Sequence, residues 1–151
     1  MVISSFARYT VVLGLSAGLW FSPTSVTAET VGGNPLRIEI VNIESAEGPL
    51  RLQILDSKAA FGGSGGSVAA FIVPAVEGSV ELSLNSLPAG EYAIRVMQDT
   101  DGDGELGTNA IGMPNEPWGI SNDAVGQFGP PSWSDAKFSL PETTQQTITL
   151  R

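Results

Sequence analysis

The chain has 151 residues, 16 of them acidic against seven basic, for a formal net charge of −9, with no cysteine and no histidine. Those counts exclude disulfides, thiol catalysis, zinc–thiolate sites and imidazole acid–base chemistry. The acidity argues against nucleic acid and anionic lipid surfaces as partners and is compatible with a bound cation.

Residues 1–28 read as a cleavable export leader. Arg8 supplies the basic head, and the apolar run from Tyr9 to Phe21 is too short to cross a bilayer as a stable helix. Ser22-Pro23-Thr24-Ser25 then breaks any helix, and Val26-Thr27-Ala28 offers the small residues that a signal peptidase reads. The expected location is the periplasm or the medium, with no transmembrane segment after cleavage. No cysteine follows the apolar run to carry a lipid. Cleavage leaves 123 residues with six basic and 16 acidic side chains, a net charge of −10. That is one domain, long enough for a core without staples.

Residues 29–35 read as a flexible lead, and 36–151 as a single domain. From Leu36 the hydrophobic period is two: Leu36, Ile38 and Ile40 alternate with Arg37 and Glu39 as a half-buried strand. The phase slips at Val41 and Ile43, which predicts a bulge. Leu50, Leu52 and Ile54 form a second strand, and Glu47-Gly48-Pro49 before it predicts a hairpin with the first. A Gly/Ser-rich loop over 56–67 leads to a third strand, Val68–Val73, marked as an edge or an end by Pro74. Val80–Leu84 and Tyr92–Val96, with Arg95 outward, give a fourth and fifth. Ala136–Leu140 and Ile148–Leu150 close the series. Seven short strands without an amphipathic helix predict an all-β fold, an antiparallel seven-stranded β-sandwich of immunoglobulin-like or prealbumin-like type with one long ordered loop.

Leu87-Pro88-Ala89-Gly90-Glu91-Tyr92 places a tyrosine two residues after a glycine at a strand start. This is the arrangement of a tyrosine corner, in which the phenol bonds back to the preceding connection.

The connection from Asp99 to Ser134 breaks the strand pattern and is too long for a plain turn. It opens with Asp99-Thr100-Asp101-Gly102-Asp103-Gly104-Glu105-Leu106, the first half of an EF-hand-type calcium loop. Asp99, Asp101 and Asp103 would converge their oxygens on a hard cation, Glu105 would add its carbonyl, and Leu106 would pin the loop to the core. Ala110 stands where an EF-hand has its bidentate glutamate. Further oxygens would come from Asn109, Glu116, Asp123, carbonyls or water. The competing reading is a solvated Asp/Gly turn. Further on, Trp118, Phe128 and Trp133 stand among glycines and prolines, as a satellite core beneath the loop or a stacking surface for a sugar or peptide.

Asp99-x-Asp101-x-Asp103-Gly104-x-Leu106, then Gly112-x-Pro114-x-Glu116-x-x-Gly119-Ile120-Ser121-Asn122 and Phe128-Gly129-Pro130-Pro131-Ser132-Trp133, resembles a family of exported bacterial proteins known as a domain of unknown function. The likeness runs from about Leu36 to Arg151. It implies a bacterial periplasmic or secreted location and no activity. The strand around Tyr92 also looks like transthyretin-like modules, an analogy of fold alone.

The function expected from the chain is therefore that of a non-enzymatic cell-envelope module, binding or structural, with a calcium-ordered loop and a glycan or envelope protein as partner. The enzyme alternative is a glycan hydrolase that pairs Asp103 with Glu116 or Asp123. A third reading is assembly by strand addition at the Val68–Val73 edge.

Overall fold

In the computed structural model, residues 33–127 and 129–151 are described. The expected leader lies outside them, as do residues 29–32 of the expected lead and Phe128.

Two open sheets pack together around one core, as the strand-rich pattern predicts. Eight strands occur among the described residues. Strands β1 (Asn34–Ile43), β4 (Gly78–Leu87) and β8 (Gln145–Thr149) form a three-stranded sheet with β1 in the middle. Strands β2 (Pro49–Leu55), β3 (Ala69–Pro74), β5 (Gly90–Gln98) and β6 (Trp118–Ile120) form the other, in the order β3-β2-β5-β6. The short β7 (Phe138–Leu140) pairs with the beginning of β5, Phe138 opposite Tyr92.

The inward faces carry the core. Leu36, Ile38 and Ile40 of β1, Leu50, Leu52 and Ile54 of β2, Tyr92, Ile94 and Val96 of β5, and Ile148 and Leu150 meet in one buried cluster. The alternation read in the sequence is therefore the alternation of burial. The expected bulge falls at Asn42, whose φ of 63° interrupts the β1–β4 register between Val41 and Ile43. Its side-chain amide donates to the Leu150 carbonyl at 2.8 Å.

Several expectations need correction. The β1–β2 connection is no hairpin: β1 pairs with β4 and β8, β2 with β3 and β5, so the chain crosses between sheets at Glu44–Gly48. Gln98 fixes that crossing, its buried amide donating to the Ser45 and Glu47 carbonyls at 2.8 and 2.7 Å. A turn signal sets a change of direction, not the partner, and both strands bury more by facing each other across the core. The fold is not purely antiparallel, since β1 and β8 run parallel with Ile40 opposite Ile148. Asn34 and Pro35, assigned to the lead, already belong to β1. Ala136 ends a one-turn helix, α2 (Trp133–Ala136), rather than starting a strand. Ser132 and Asp135 form a capping box there, which starts a helical turn and delays the strand to Phe138. The third strand is an edge as expected, with Pro74 as its last residue.

The tyrosine corner is present. Tyr92 is buried and its hydroxyl donates to the Pro88 carbonyl at 3.1 Å. Burial, and secondarily the Asp56 charge, push its phenol above the usual range.

Candidate functional site

The loop after β5 is built on two buried carboxylates. Asp99, the residue after β5, is fully buried, and its Oδ2 accepts from Arg51 Nε at 2.5 Å while Oδ1 accepts the Gly102 amide at 2.9 Å. Burial pushes this carboxyl up, but the Arg51 guanidinium and the Gly104 and Gly102 amides outweigh it and hold the group below its ordinary value. Glu116 is also buried. It accepts the Thr100 amide at 2.8 Å, the Thr100 hydroxyl at 3.0 Å and the Gly107 amide at 3.0 Å. Again burial raises and those donors, with the Asp101 amide, lower; the balance is a depressed pKa. Glu116 thus clamps residues 100–107 from across the loop.

Between these anchors the acidic turn closes as its spacing predicts. Asp101 accepts the Asp103 amide at 3.1 Å and Asp103 accepts the Glu105 amide at 2.8 Å. Gly102 and Gly104 take φ values of 80° and 84°, a region glycine enters without strain. One carboxylate oxygen each from Asp99, Asp101 and Asp103 lies within 4.8 Å of the others, Asp101 and Asp103 being exposed.

The other expected contributors are elsewhere. Glu116 is taken up by the clamp. Asn109 caps its own turn through the Ile111 and Met113 amides at 3.1 and 3.0 Å. Asp123 holds the Thr149 amide and hydroxyl at 2.7 and 3.0 Å and lies 3.6 Å from Arg151. Glu105 is exposed, and Leu106 is exposed too rather than pinned in the core. The job given to Leu106 is done by Glu116, a polar clamp that hydrophobic patterning does not signal.

The remainder of the loop folds back over the outer face of the five-stranded sheet. Part of that face is covered: Phe61 of the short helix α1 (Lys58–Phe61), Leu55, Ala93, Ile120, Ala124 and Ala136 form a second buried cluster. Trp118 and Trp133 pack against it, Trp133 edge-on to Phe61 with ring centroids 5.9 Å apart. Of the two arrangements the sequence left open for these aromatics, Trp118 and Trp133 take the satellite core.

Beyond the cluster the face is open. The register places Ile72, Arg51, Met97 and Trp118 in one row across four strands, and Ala70, Gln53, Arg95 and Ile120 in the next. These rows floor a groove of about 940 Å³, walled at one end by Phe61, at the other by Gly104–Leu106, Thr108 and Met113, and along the side by Val125 and Pro130–Pro131. Arg95 points outward, as its place in the alternation predicts, and there it meets a groove that no sequence pattern marks. Outward alternation looks the same whether the face meets water or a loop from further along the chain.

Fold and site define a class: a β protein of two packed open sheets, one carrying a loop-walled groove on its outer face. The chain belongs to the bacterial family described as "Uncharacterized protein conserved in bacteria" (DUF2141), whose model matches residues 38–149. No curated protein and no solved structure matches it. No helix among the described residues is long and apolar enough to cross a membrane.

Proposed function

We propose that this chain is an exported, non-enzymatic binding module of the bacterial cell envelope, working in the periplasm or outside the cell. The observation that carries the reading is the groove on the outer sheet face. At about 940 Å³ it has the size of a small-molecule site, and its lining is mainly apolar with a few polar groups. The leader pattern of residues 1–28 supports export. The tyrosine corner supports the immunoglobulin-like or prealbumin-like reading of the sandwich. The hydrolase alternative is weakened by its own residues: Glu116 and Asp123, the partners proposed for Asp103, are each engaged in holding backbone amides.

The second part of the reading is a calcium ion at Asp99, Asp101 and Asp103, with the Glu105 carbonyl. Convergent oxygens on an Asp/Gly turn support it. Arg51 already neutralises Asp99, so the ion binds weakly, in the millimolar range typical of extracellular modules. Its work is structural: it offsets the remaining repulsion between Asp101 and Asp103 and stiffens the wall of the groove.

The test of the binding reading is titration of the purified protein with an environment-sensitive apolar dye, beside an Ala70→Trp variant that fills the groove floor. Saturable binding lost in the variant supports it. An absence of saturable binding, or equal binding by a folded Ala70→Trp, defeats it.

A further inference from the structure

We propose that the groove takes an apolar molecule ending in a carboxylate, a long-chain fatty acid being the simplest, with the carboxylate on Arg95 and the chain along Met97, Ile72 and Trp118. This rests on the reading of the groove as a binding site and names its ligand class. Among the described residues, three charged ones line the groove: Arg51, Arg95 and Glu105. Arg51 is engaged by Asp99. Glu105 is exposed at the loop end, in the turn that Arg51 underlies.

Arg95 is different. It stands in the floor, between Gln53 and Ile120, and is half-buried. Among the described residues the ion pairs are made by Arg37, Arg51, Lys137 and Arg151, so Arg95 has no carboxylate partner despite the chain's acidity. Its one protein acceptor there is the Phe61 carbonyl, which takes a hydrogen bond from Nη2, and the Phe61 ring lies 4.8 Å from the guanidinium carbon. Those contacts fix the group without neutralising it. Burial lowers its pKa, as expected for a cation without a counter-ion.

A half-buried cation lacking a counter-ion is costly to the fold, and an incoming anion relieves that cost. The guanidinium fork left beyond Phe61 matches a carboxylate, and the apolar surroundings strengthen the pair relative to water. Among the described residues that line the groove, Arg95 is the cation without an ion-pair partner, which suits a ligand of one negative charge. The apolar floor around it suits an alkyl chain rather than a glycan, and each buried methylene should tighten binding about fourfold. The protein's net charge repels anions at long range, so the preference is local to Arg95.

The experiment is displacement of a fluorescent apolar probe from the purified protein by saturated fatty acids of eight to sixteen carbons, with alcohols and alkylammonium ions of equal length beside them. The expected order is acid, then alcohol, then ammonium, with the acid at least about tenfold better than the alcohol and affinity rising with chain length. In Arg95→Gln, shown to be folded by its melt, the acid loses that advantage. Equal displacement by acid and alcohol in the wild-type protein overturns the proposal while leaving the groove a binding site. An acid preference that survives in folded Arg95→Gln overturns it as well. Failure of any probe to bind removes both readings.

Discussion

Glu116 reaches back sixteen residues to Thr100 and accepts both its amide and its hydroxyl, at 2.8 and 3.0 Å. With the Gly107 amide at 3.0 Å on its other oxygen, this one carboxylate closes the acidic turn from within.

Replacing it tests that role. Glu116→Gln keeps the shape but points an amide donor at backbone donors, and should lower unfolding free energy by about 1–3 kcal/mol. Urea denaturation checks the loss. A variant as stable as the wild type would mean that the clamp contributes nothing.

Acid should act through the same groups. Asp99 and Glu116 both have pKa values depressed by folding. Their contribution to stability is therefore complete above the unfolded values of about 4 and disappears as pH falls through the lower folded values. Melting temperature should be flat from neutral pH down to about 5 and fall steeply below about 4. A protein equally stable at both ends of that window would contradict the assignment.

Calcium at millimolar concentration should release or absorb heat in a titration and raise the melting temperature, and a chelator should reverse the shift. Asp101→Asn and Asp103→Asn should each weaken the effect, because each removes charge from the exposed side of the cluster. Unchanged melts with calcium and with chelator leave the turn a solvated one held by Arg51 and Glu116.

The tyrosine corner gives a smaller, cleaner measurement. Tyr92→Phe deletes the hydroxyl that donates to Pro88 and retains the ring against Phe138, 6.4 Å away between centroids. The expected loss is about 0.5–1.5 kcal/mol by chemical denaturation.

Much of the fold was legible because it depends on local period. Leu36–Ile40, Leu50–Ile54 and Tyr92–Val96 each alternate, and each buries the predicted side chains. The pairing of those strands was not legible, since no residue near Gly48 says that β1 seeks Val80 and Ile148 rather than Leu50. Strand β6 was missed because Trp118-Gly119-Ile120 is three residues long and points its large side chains outward. At the site, the spacing of three aspartates and two glycines foretold their convergence. Arg51, 48 residues away, did not announce itself as the partner of Asp99, and Glu116 looked like a ligand rather than a clamp. Alternation says which way a side chain points; only the fold says what it meets.

The parallel pairing of β1 with β8 has a consequence for how the protein comes into being. Glu39 and Thr147 lie 108 residues apart, yet β8 supplies Ile148 and lies directly above Leu150 in the chain, two of the side chains that shut the core. Until β8 docks, the middle strand of its sheet, β1, has an open flank and the core lacks Ile148. Such distant pairing makes for slow closure. Docking of β8 on β1 should therefore be among the late steps of folding, after the pairings of strands nearer to each other in the chain.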